Sequence, residues 1–481
     1  MNTRENLTIG YAPTRRTVFS REDALKYKKL TLEKIRALGY KVVDIEDINE
    51  DGLLVEEKDI GAAVRKLKHG GADCIISPHC NFGTEDIVAR VAKEMALPFL
   101  LWGPRDEAPQ PDGSRLRDSQ CGLFATSKIL QRYSVPFSYI INCRVDDPIF
   151  ERGVNNFAAA ANVVKAFKSL RIGQIGTRPT PFWSVIANEG ELLEKFGIEI
   201  VPYNLIDVIN AAKEIKASGS GDYKNTIDYI KKNLKVDIEE DKLQNIAALK
   251  EAIKVIKGRD GITAFAIQCW TALGDIMGIV PCLANSLLFD EDIPVACETD
   301  IHGAVSAAIV QAATFSGSKV IFADITNRHP SDDNSELLWH CGLFPLSLKK
   351  EGTEGRVGCH GILDGEPAGI CDFEIKGGDI TVVRFDSVKG YYSLFAGQAK
   401  GTEGPKTTGT YLWIKTSDWA KWEERLIYGP YIHHVAAVHG KVLPVLYEAV
   451  RYIDGLTLDA VEPTEEEIRG WLAGKGGLKA E

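Results

Sequence analysis

The sequence predicts an α/β protein with two parallel-sheet domains followed by a β-rich C-terminal domain. A chain of 481 residues is longer than one hydrophobic core usually supports, because domains hold roughly 150 residues each. Short apolar runs alternate with amphipathic stretches along most of the chain, which is typical of strands alternating with helices. We therefore predict an N-terminal α/β domain over residues 1–170, a second α/β domain over 171–349 and a β-rich domain over 350–481.

The first domain shows the strand and helix alternation of a parallel sheet. The predicted strands cover residues 7–12, 41–45, 72–78, 98–102 and 137–142. The predicted helices cover residues 22–38, 57–69, 84–95, 118–133 and 147–170.

The same rhythm restarts at Arg171, where a strand leads into a Gly/Pro turn. We predict a helix over 184–196, a polar helical region over 223–257, a flexible loop over 217–222, and strands over 199–203, 262–268, 293–297 and 320–323. After residue 348 the runs become short, rich in Val, Ile, Phe and Tyr, and are cut by Gly pairs, which indicates antiparallel strands. A terminal helix is predicted over 441–453.

Composition excludes several classes of protein. The net charge of −10 and the lack of a basic, aromatic stretch argue against a nucleic-acid partner. No apolar run is long enough to span a bilayer, and MNTRENLTIG lacks the apolar segment of a secretion signal, so we expect a cytoplasmic protein without a membrane partner. The ten cysteines form no CxxC pair, and the densest group, Cys341, Cys359 and Cys371 with His360, matches no zinc spacing, so we interpret them as reduced thiols.

The segment with the clearest chemistry is IPVACETDIHGAVSAAIVQAATFSGSKVIFADITN, residues 293–327. It reads as strand, helix and strand, with Glu298 at the end of the first strand and Asp324 at the end of the second, 26 positions later. We expect a parallel crossover within one sheet, which would place both acids at the same carboxyl edge, where open α/β sheets bind ligands. Two carboxylates at that edge can converge on one cation.

Histidines supply the remaining metal-ligand types. His340 follows Asp324 by 16 residues, and His433 and His434 lie in a turn-rich, aromatic setting, YGPYIHHVAAVHG. Two carboxylates with imidazole suit Mn²⁺, and also Mg²⁺, Co²⁺ or Fe²⁺, because oxygen favours the harder ions and imidazole adds affinity for transition metals.

The order of these residues resembles the signature of the L-fucose isomerase and L-arabinose isomerase superfamily. The resemblance implies two Rossmann-like domains followed by a β-rich domain, and a metal site formed by Glu298, Asp324, His434 and His340. The order Glu then Asp, together with WHCG, is similar to the fucose branch. The implied activity is aldose–ketose isomerisation of an open-chain hexose, deoxyhexose, pentose or sulfosugar such as sulfoquinovose.

Such a reaction moves a proton between C1 and C2 through an enediol that a cation stabilises. We expect Glu298 to be the proton-transferring base and Asp324 to act on the hydroxyl protons, although the reverse assignment and a hydride shift stay open. The side chains expected to bind the sugar are Arg16, Arg178, Gln268, Trp270, His433 and Trp413. The two arginines are the candidates for a charged group such as a sulfonate. The resemblance further implies a homo-oligomer, often a hexamer, in which Arg16 acts across an interface.

Two alternative functions remain at this stage. A two-lobed sugar-binding protein would share the paired α/β units but needs a secretion signal and no convergent acids. A metal-dependent aldolase would use a similar cation and enediolate, yet only the metal site supports it.

Overall fold

The computed structural model describes residues 4–476, and these residues divide into two compact units. The first unit comprises residues 4–165, 444–454 and 465–476, and the second comprises 166–443 and 455–464.

The first unit contains a five-stranded parallel sheet with the order β2-β1-β3-β4-β5. This is the doubly wound order in which helices cover both faces of the sheet and the strand ends at the switch point form a crevice. The elements, close to their predicted bounds, are β1 (Thr8–Tyr11), α1 (Arg21–Ala37), β2 (Lys41–Asp44), α2 (Glu57–His69), β3 (Cys74–Pro78), α3 (Glu85–Met95), β4 (Phe99–Trp102), α4 (Ser119–Arg132), β5 (Ser138–Tyr139) and α5 (Pro148–Phe167).

The second unit begins with a four-stranded parallel sheet, ordered β10-β9-β6-β7. The first twelve α-helices and strands of this unit, in chain order, are β6 (Arg171–Ile175), α6 (Glu189–Phe196), β7 (Glu199–Tyr203), α7 (Leu205–Ser218), α8 (Gly221–Asn233), β8 (Lys235–Val236), α9 (Glu240–Asp260), β9 (Ala264–Ile267), α10 (Ala272–Met277), α11 (Cys282–Asp290), β10 (Val295–Ala296) and α12 (Ile301–Ala313).

A ten-stranded sheet forms the rest of the second unit, in the order β19-β16-β15-β18-β11-β12-β17-β14-β13-β8. An additional pairing between β16 and β17 closes six antiparallel strands into a ring. The elements are β11 (Val320–His329), β12 (Asp332–His340), β13 (Arg356–Cys359), β14 (Ala368–Glu374), β15 (Asp379–Val388), β16 (Tyr391–Thr402), β17 (Thr410–Lys415), α13 (Trp419–Tyr428), β18 (His434–His439) and β19 (Leu456–Glu462). The chain then completes the first unit with α14 (Leu443–Val450) and α15 (Glu465–Leu472).

Helix α12 connects the two sheets of the second unit. All of its residues are buried, and it packs against β9 and β10 on one side and against β11, β15 and β18 on the other. A helix that is apolar on every side is the kind that lies inside a core. Its first turn is therefore a point where residues of both sheets meet.

Three expectations about the second unit need correction. The strands after Glu298 and around Asp324 do not form a parallel crossover in one sheet, because β10 pairs with β9 while β11 pairs antiparallel with β12 and β18. Residue 350 does not separate two compact units, because β11 and β12 share a sheet with the strands that follow. The expected loop over 217–222 is reduced to a two-residue connection between α7 and α8, and the polar region is divided into α8 and α9.

Other expectations concern thiols and membranes. All ten cysteines are free thiols; Cys371 is buried, Cys341 is half-buried and Cys359 is exposed. Among residues 4–476, no helix combines the length and the apolar character needed to cross a membrane.

We predict that Trp422→Ala destabilises the second unit strongly. Trp422 is fully buried in α13 and its ring meets Phe395 at a centroid distance of 5.5 Å, so truncation leaves a cavity that costs about 3–5 kcal/mol of the free energy of unfolding. Urea denaturation followed by circular dichroism measures the loss. The control is Tyr428→Ala in the same helix, where 85% of the side chain is exposed and little change is expected. Equal midpoints for the two variants would contradict this account of the core.

Candidate functional site

Glu298 and Asp324 reach the same region from different sheets. Glu298 lies in the turn between β10 and α12, with a left-handed backbone at φ 52°, and the next residue, Thr299, has φ 57°. The amide of Thr299 donates to the Ile267 carbonyl at 3.1 Å, which ties this turn to the end of β9. Asp324 lies within β11, directly opposite His434 of β18. Cross-strand pairing, rather than a shared strand edge, brings Asp324 to the site.

Three donor atoms converge where these elements meet. The Nε2 atom of His434 lies 3.6 Å from Glu298 Oε2 and 3.6 Å from Asp324 Oδ1. His340 contributes from β12, with its Nε2 atom 4.0 Å from Asp324 Oδ1. Glu298 Oε2, Asp324 Oδ1 and His340 Nε2 are buried without a hydrogen-bond partner among the described residues. Buried polar atoms are rarely left unpaired, so this arrangement indicates a ligand between them.

Asp300 fixes the orientation of His434. Its carboxylate caps the N-terminus of α12 by accepting from the Gly303 amide at 2.9 Å, and its Oδ2 atom lies 2.9 Å from His434 Nδ1. An ionised Asp300 accepts a hydrogen bond from His434 Nδ1–H. In the neutral imidazole this leaves the lone pair of Nε2 facing Glu298 and Asp324, as in the carboxylate–histidine–metal arrangement.

A buried ion-pair network supports Asp300 from β15. Arg384 is fully buried; its guanidinium donates to both carboxylate oxygens of Asp300, with the Nη2–Oδ1 distance at 3.1 Å, and its Nε donates to Asp386 at 2.8 Å. His302, in the first turn of α12, places Nδ1 2.9 Å from the other oxygen of Asp386. Each buried charge thus has an opposite charge or a hydrogen bond, as burial requires.

The protonation preferences follow from this environment. Burial raises the pKa of Asp300, but the Arg384 guanidinium and the bond to His434 outweigh it and hold that pKa well below its ordinary value. Burial also raises the pKa of Glu298, and the nearby imidazoles only partly oppose it. For His434, burial lowers the pKa, but the bond to Asp300 leaves it raised. Of Glu298 and Asp300, Glu298 is therefore the carboxyl group better suited to accept a proton.

His340 is set up as a hydrogen-bond donor. Burial lowers its pKa, but the charge of Asp324 prevails and raises it to about 9. The Cys341 amide donates to His340 Nδ1 at 2.9 Å, so in the neutral ring the proton resides on Nε2, the atom that faces Asp324. An Nε2–H group donates rather than coordinates. A direct bond from His340 to a metal stays a prediction, which this geometry does not favour.

The donor set fits a divalent cation. The Nε2 atom of His434 lies 3.6 Å from each carboxylate oxygen, a spacing that two ligands of one ion adopt at typical bond lengths of about 2.0–2.2 Å. An ion held by both carboxylates would satisfy their unpaired oxygens. His433 can also take part, because Asp324, His433 and His434 offer ligand atoms within 4.8 Å of one another. Oxygen and imidazole donors match Mn²⁺ or Mg²⁺ better than softer ions.

Cys269 orients Glu298 from the opposite side. Its thiol, just after β9, donates to Glu298 Oε1 at 3.2 Å, so Oε2 is the oxygen that faces His434.

Three of the expected sugar-binding residues adjoin this cluster through an aromatic group. The Phe182 ring stacks over His434 at a centroid distance of 5.8 Å and meets Trp270 and His433 edge to face at 5.6 and 6.0 Å. Arg178 Nη1 donates to the carbonyls of Pro179, Thr180 and Phe182, which holds this loop together. The structure thus places Trp270, His433 and Arg178 around Phe182, next to His434.

The other expected sugar-binding residues have different surroundings. Gln268 accepts from the Thr177 amide at 3.2 Å and joins the ends of β9 and β6. Trp413 is buried, with its indole N–H bonded to the Pro405 carbonyl at 2.9 Å, so it packs apart from the cluster. Arg16 belongs to the first unit, where it pairs with Glu85 at 2.6 Å and covers the Phe82 ring.

Several residues of the site were missed by sequence reasoning. Asp300 directly precedes the apolar run of α12, a helix-cap signal that was available. Arg384 and Asp386 stand two positions apart on β15 and so share one face of the strand, a pattern that can indicate an ion pair on that face. For Cys269 and Phe182 the sequence carried no comparable signal.

Comparisons with known proteins agree with the expected family. Residues 10–168 match the family described as fucose/sulfoquinovose isomerase, N-terminal domain. The chain is thus similar to the fucose isomerase-like sugar isomerases, through its N-terminal domain in the family match and over most of its length in the relatives. A sulfoquinovose isomerase of Alkalicoccus urumqiensis is 25% identical over 92% of this chain and 97% of its own. One from Priestia aryabhattai is 24% identical over 94% and 98%.

Solved structures add little to this assignment. A periplasmic solute-binding protein of Actinobacillus succinogenes with bound D-allose covers 64% of this chain and 92% of its own at 13% identity, with a TM-score of 0.16. A likeness of this size supports no conclusion about fold or function.

We predict that Arg384→Met destabilises the protein by about 3–5 kcal/mol, because the buried carboxylates of Asp300 and Asp386 lose their counter-charge. Calorimetric unfolding measures the effect. The control is Arg425→Met, which removes a half-exposed arginine paired with Asp459 and should cost much less. A loss of similar size in both variants would show that burial of the Arg384 network does not matter.

Proposed function

We propose that the protein is an aldose–ketose isomerase that converts sulfoquinovose, or a close sulfosugar, into its 2-ketose with the help of a divalent cation. The observation that supports the cation is the convergence of Glu298 Oε2, Asp324 Oδ1 and His434 Nε2, of which the two carboxylate oxygens lack partners in the described chain. We propose a sulfosugar as the substrate because the relatives are named sulfoquinovose isomerases and align with more than nine-tenths of this chain.

Glu298 is the group we assign to the carbon-bound proton. In the forward direction the C2–H bond breaks, Glu298 takes the proton, and the same proton or one exchanged with solvent is delivered to C1. A base of this kind works best when its pKa lies near the working pH, and burial moves the pKa of Glu298 in that direction. The Cys269 thiol holds Oε1, so Oε2 is the atom assigned to the transfer.

Asp324 and His340 act on the oxygens of the sugar. Asp324 lies opposite His434 and can accept and return the proton that moves between the C1 and C2 hydroxyls. His340 Nε2–H, which has no partner among the described residues, can donate to one of these oxygens. A bound divalent cation supplies Lewis-acid polarisation of both oxygens.

Aromatic side chains and an arginine lie next to the proposed ligands. Phe182 stacks over His434 and meets Trp270 edge to face, so aromatic surface covers one side of His434. Among residues 4–476, the hydrogen bonds of the Arg178 guanidinium go to backbone carbonyls and it forms no ion pair with an acid, so its positive charge is available to an anionic substrate. Arg16 already pairs with Glu85 and is the weaker candidate.

Several expectations stay predictions. They are the preference for Mn²⁺, a hexameric or other homo-oligomeric assembly, the action of Arg16 across an interface, and a cytoplasmic location. A sugar-binding protein without catalysis and a metal-dependent aldolase are the alternatives that the substrate test below separates.

We predict that sulfoquinovose is isomerised in preference to D-glucose, L-fucose and L-arabinose. D-Glucose differs only in carrying a hydroxyl group at C6 in place of the sulfonate. A charge-assisted hydrogen bond to the sulfonate of about 1.5–3 kcal/mol corresponds to roughly a 10- to 100-fold higher kcat/KM. Product formation is followed by NMR in D₂O, where we expect deuterium at C1 of the ketose. Cleavage products would identify an aldolase, and binding without conversion would identify a carrier.

Two variants control this experiment. Glu298→Gln should lower turnover about 10²- to 10⁴-fold, whereas Glu403→Gln, at an exposed acid of the same unit, should not. Arg178→Ala should reduce the ratio of kcat/KM for sulfoquinovose to kcat/KM for glucose. General damage to the loop would lower both values and leave this ratio unchanged. Deuterium-free product with unchanged turnover in Glu298→Gln would remove Glu298 as the base.

We predict that dialysis against EDTA abolishes isomerisation and that Mn²⁺ restores it at least as well as Mg²⁺, because an imidazole ligand favours the transition metal. Calorimetric titration of the stripped protein should show Mn²⁺ affinity rising with pH. The sign follows from the raised pKa values of Glu298 and His434, since both groups must lose a proton before they bind a cation. Full activity in the chelator, or pH-independent binding, would contradict the donor set.

A further inference from the structure

A pair of thiols lies directly behind the catalytic carboxylate. Cys269 follows β9 and Cys297 follows β10, and these strands are neighbours in the parallel sheet. The two Sγ atoms and a carboxylate oxygen of Glu298 all lie within 4.8 Å of one another. All three side chains are buried, with 6%, 0% and 8% of their surfaces exposed.

We propose that Cys269, Cys297 and Glu298 form a second ion site, selective for a thiophilic divalent cation such as Zn²⁺. Thiolate sulfur selects zinc over Mg²⁺ and Mn²⁺, whereas the oxygen and imidazole donors of Asp324 and His434 suit the harder ions. Zinc bonds of about 2.3 Å to sulfur and 2.0–2.2 Å to oxygen can be made within a triangle of this size. Binding releases the two thiol protons to solvent and replaces the hydrogen bond from Cys269 to Glu298.

Asn285 places a polar group against the same pair of thiols. This residue of α11 is fully buried, and its Nδ2 atom points at Cys297 Sγ from 3.8 Å. Its Oδ1 atom has no hydrogen-bond partner within residues 4–476. An amide N–H in this position can donate a hydrogen bond to a sulfur that ligates a metal, as the outer hydrogen-bond partners of metal ligands do.

The two ion sites share Glu298. Zinc on the thiol side takes up Oε1 and withdraws charge from Oε2, the oxygen that faces His434. If the proposed isomerase function holds, zinc on the thiol side inhibits the reaction even when the other site is filled. The binding itself does not depend on that function.

X-ray absorption at the zinc edge tests the proposal on the full chain. The parent protein carries Cys121→Ser and Cys359→Ser, which remove the two exposed thiols. With two equivalents of Zn²⁺ per chain, we expect a sulfur shell at about 2.3 Å from two thiolates, together with oxygen and nitrogen. Cys297→Ala in this parent should lose at least half of the sulfur shell. Cys74→Ala, at a buried thiol of the first unit, should leave it unchanged.

The outcomes are separable. Zinc surrounded only by oxygen and nitrogen in the parent would overturn the proposal, whether or not Cys297→Ala folds. An equal sulfur shell in Cys297→Ala would place the sulfur elsewhere and also overturn it. In the isomerase assay, Cys297→Ala should tolerate at least a tenfold higher zinc concentration than the parent. Absence of isomerase activity in the parent would count against the proposed function and leave the sulfur shell as the test of the ion site.

Discussion

The buried carboxylate of Asp300 is the group on which the rest of the site depends. The same side chain caps α12, accepts from His434 and neutralises Arg384, so it joins the helix to two strands of the closed ring. A buried ion pair seldom adds net stability, because the desolvation of two charges offsets their attraction. The pair of Asp300 and Arg384 instead fixes the orientation of the His434 imidazole, because the ionised Asp300 must accept a hydrogen bond from Nδ1–H.

The turn before α12 carries a second constraint. Glu298 and Thr299 both have left-handed backbones, which cost of order 1–3 kcal/mol each in residues with a Cβ atom. The turn is retained by the Thr299 amide on Ile267 and by the Asp300 cap immediately after it. This local strain allows the chain to leave the parallel sheet and enter α12 while Glu298 still faces β11 and β18.

Most helices and strands could be predicted from the sequence, and so could the acids and the histidine that meet in the structure, but the strand pairing that brings them together could not. Helix α2 and strand β7 have their predicted bounds because local periodicity determines them. The pairing of β11 does not follow from periodicity, because its partner β18 lies more than a hundred residues later. For that reason a parallel crossover was expected, although Glu298, Asp324 and His434 do come together. Arg384 and Phe182 reach the site only through long-range packing, which spacing in one sequence does not reveal.

Glu298 has chemically different partners on its two oxygens, and this difference bears on its role as a base. A thiol is a weak hydrogen-bond donor, so Cys269 can orient Oε1 without strongly stabilising the carboxylate charge. An arginine or a backbone amide in that position would lower the pKa of Glu298 and make it a poorer proton acceptor. Burial can therefore keep that pKa raised while the side chain stays in one orientation. The same weak donor is a strong ligand once deprotonated, so a base held by cysteine is inherently open to thiophilic cations.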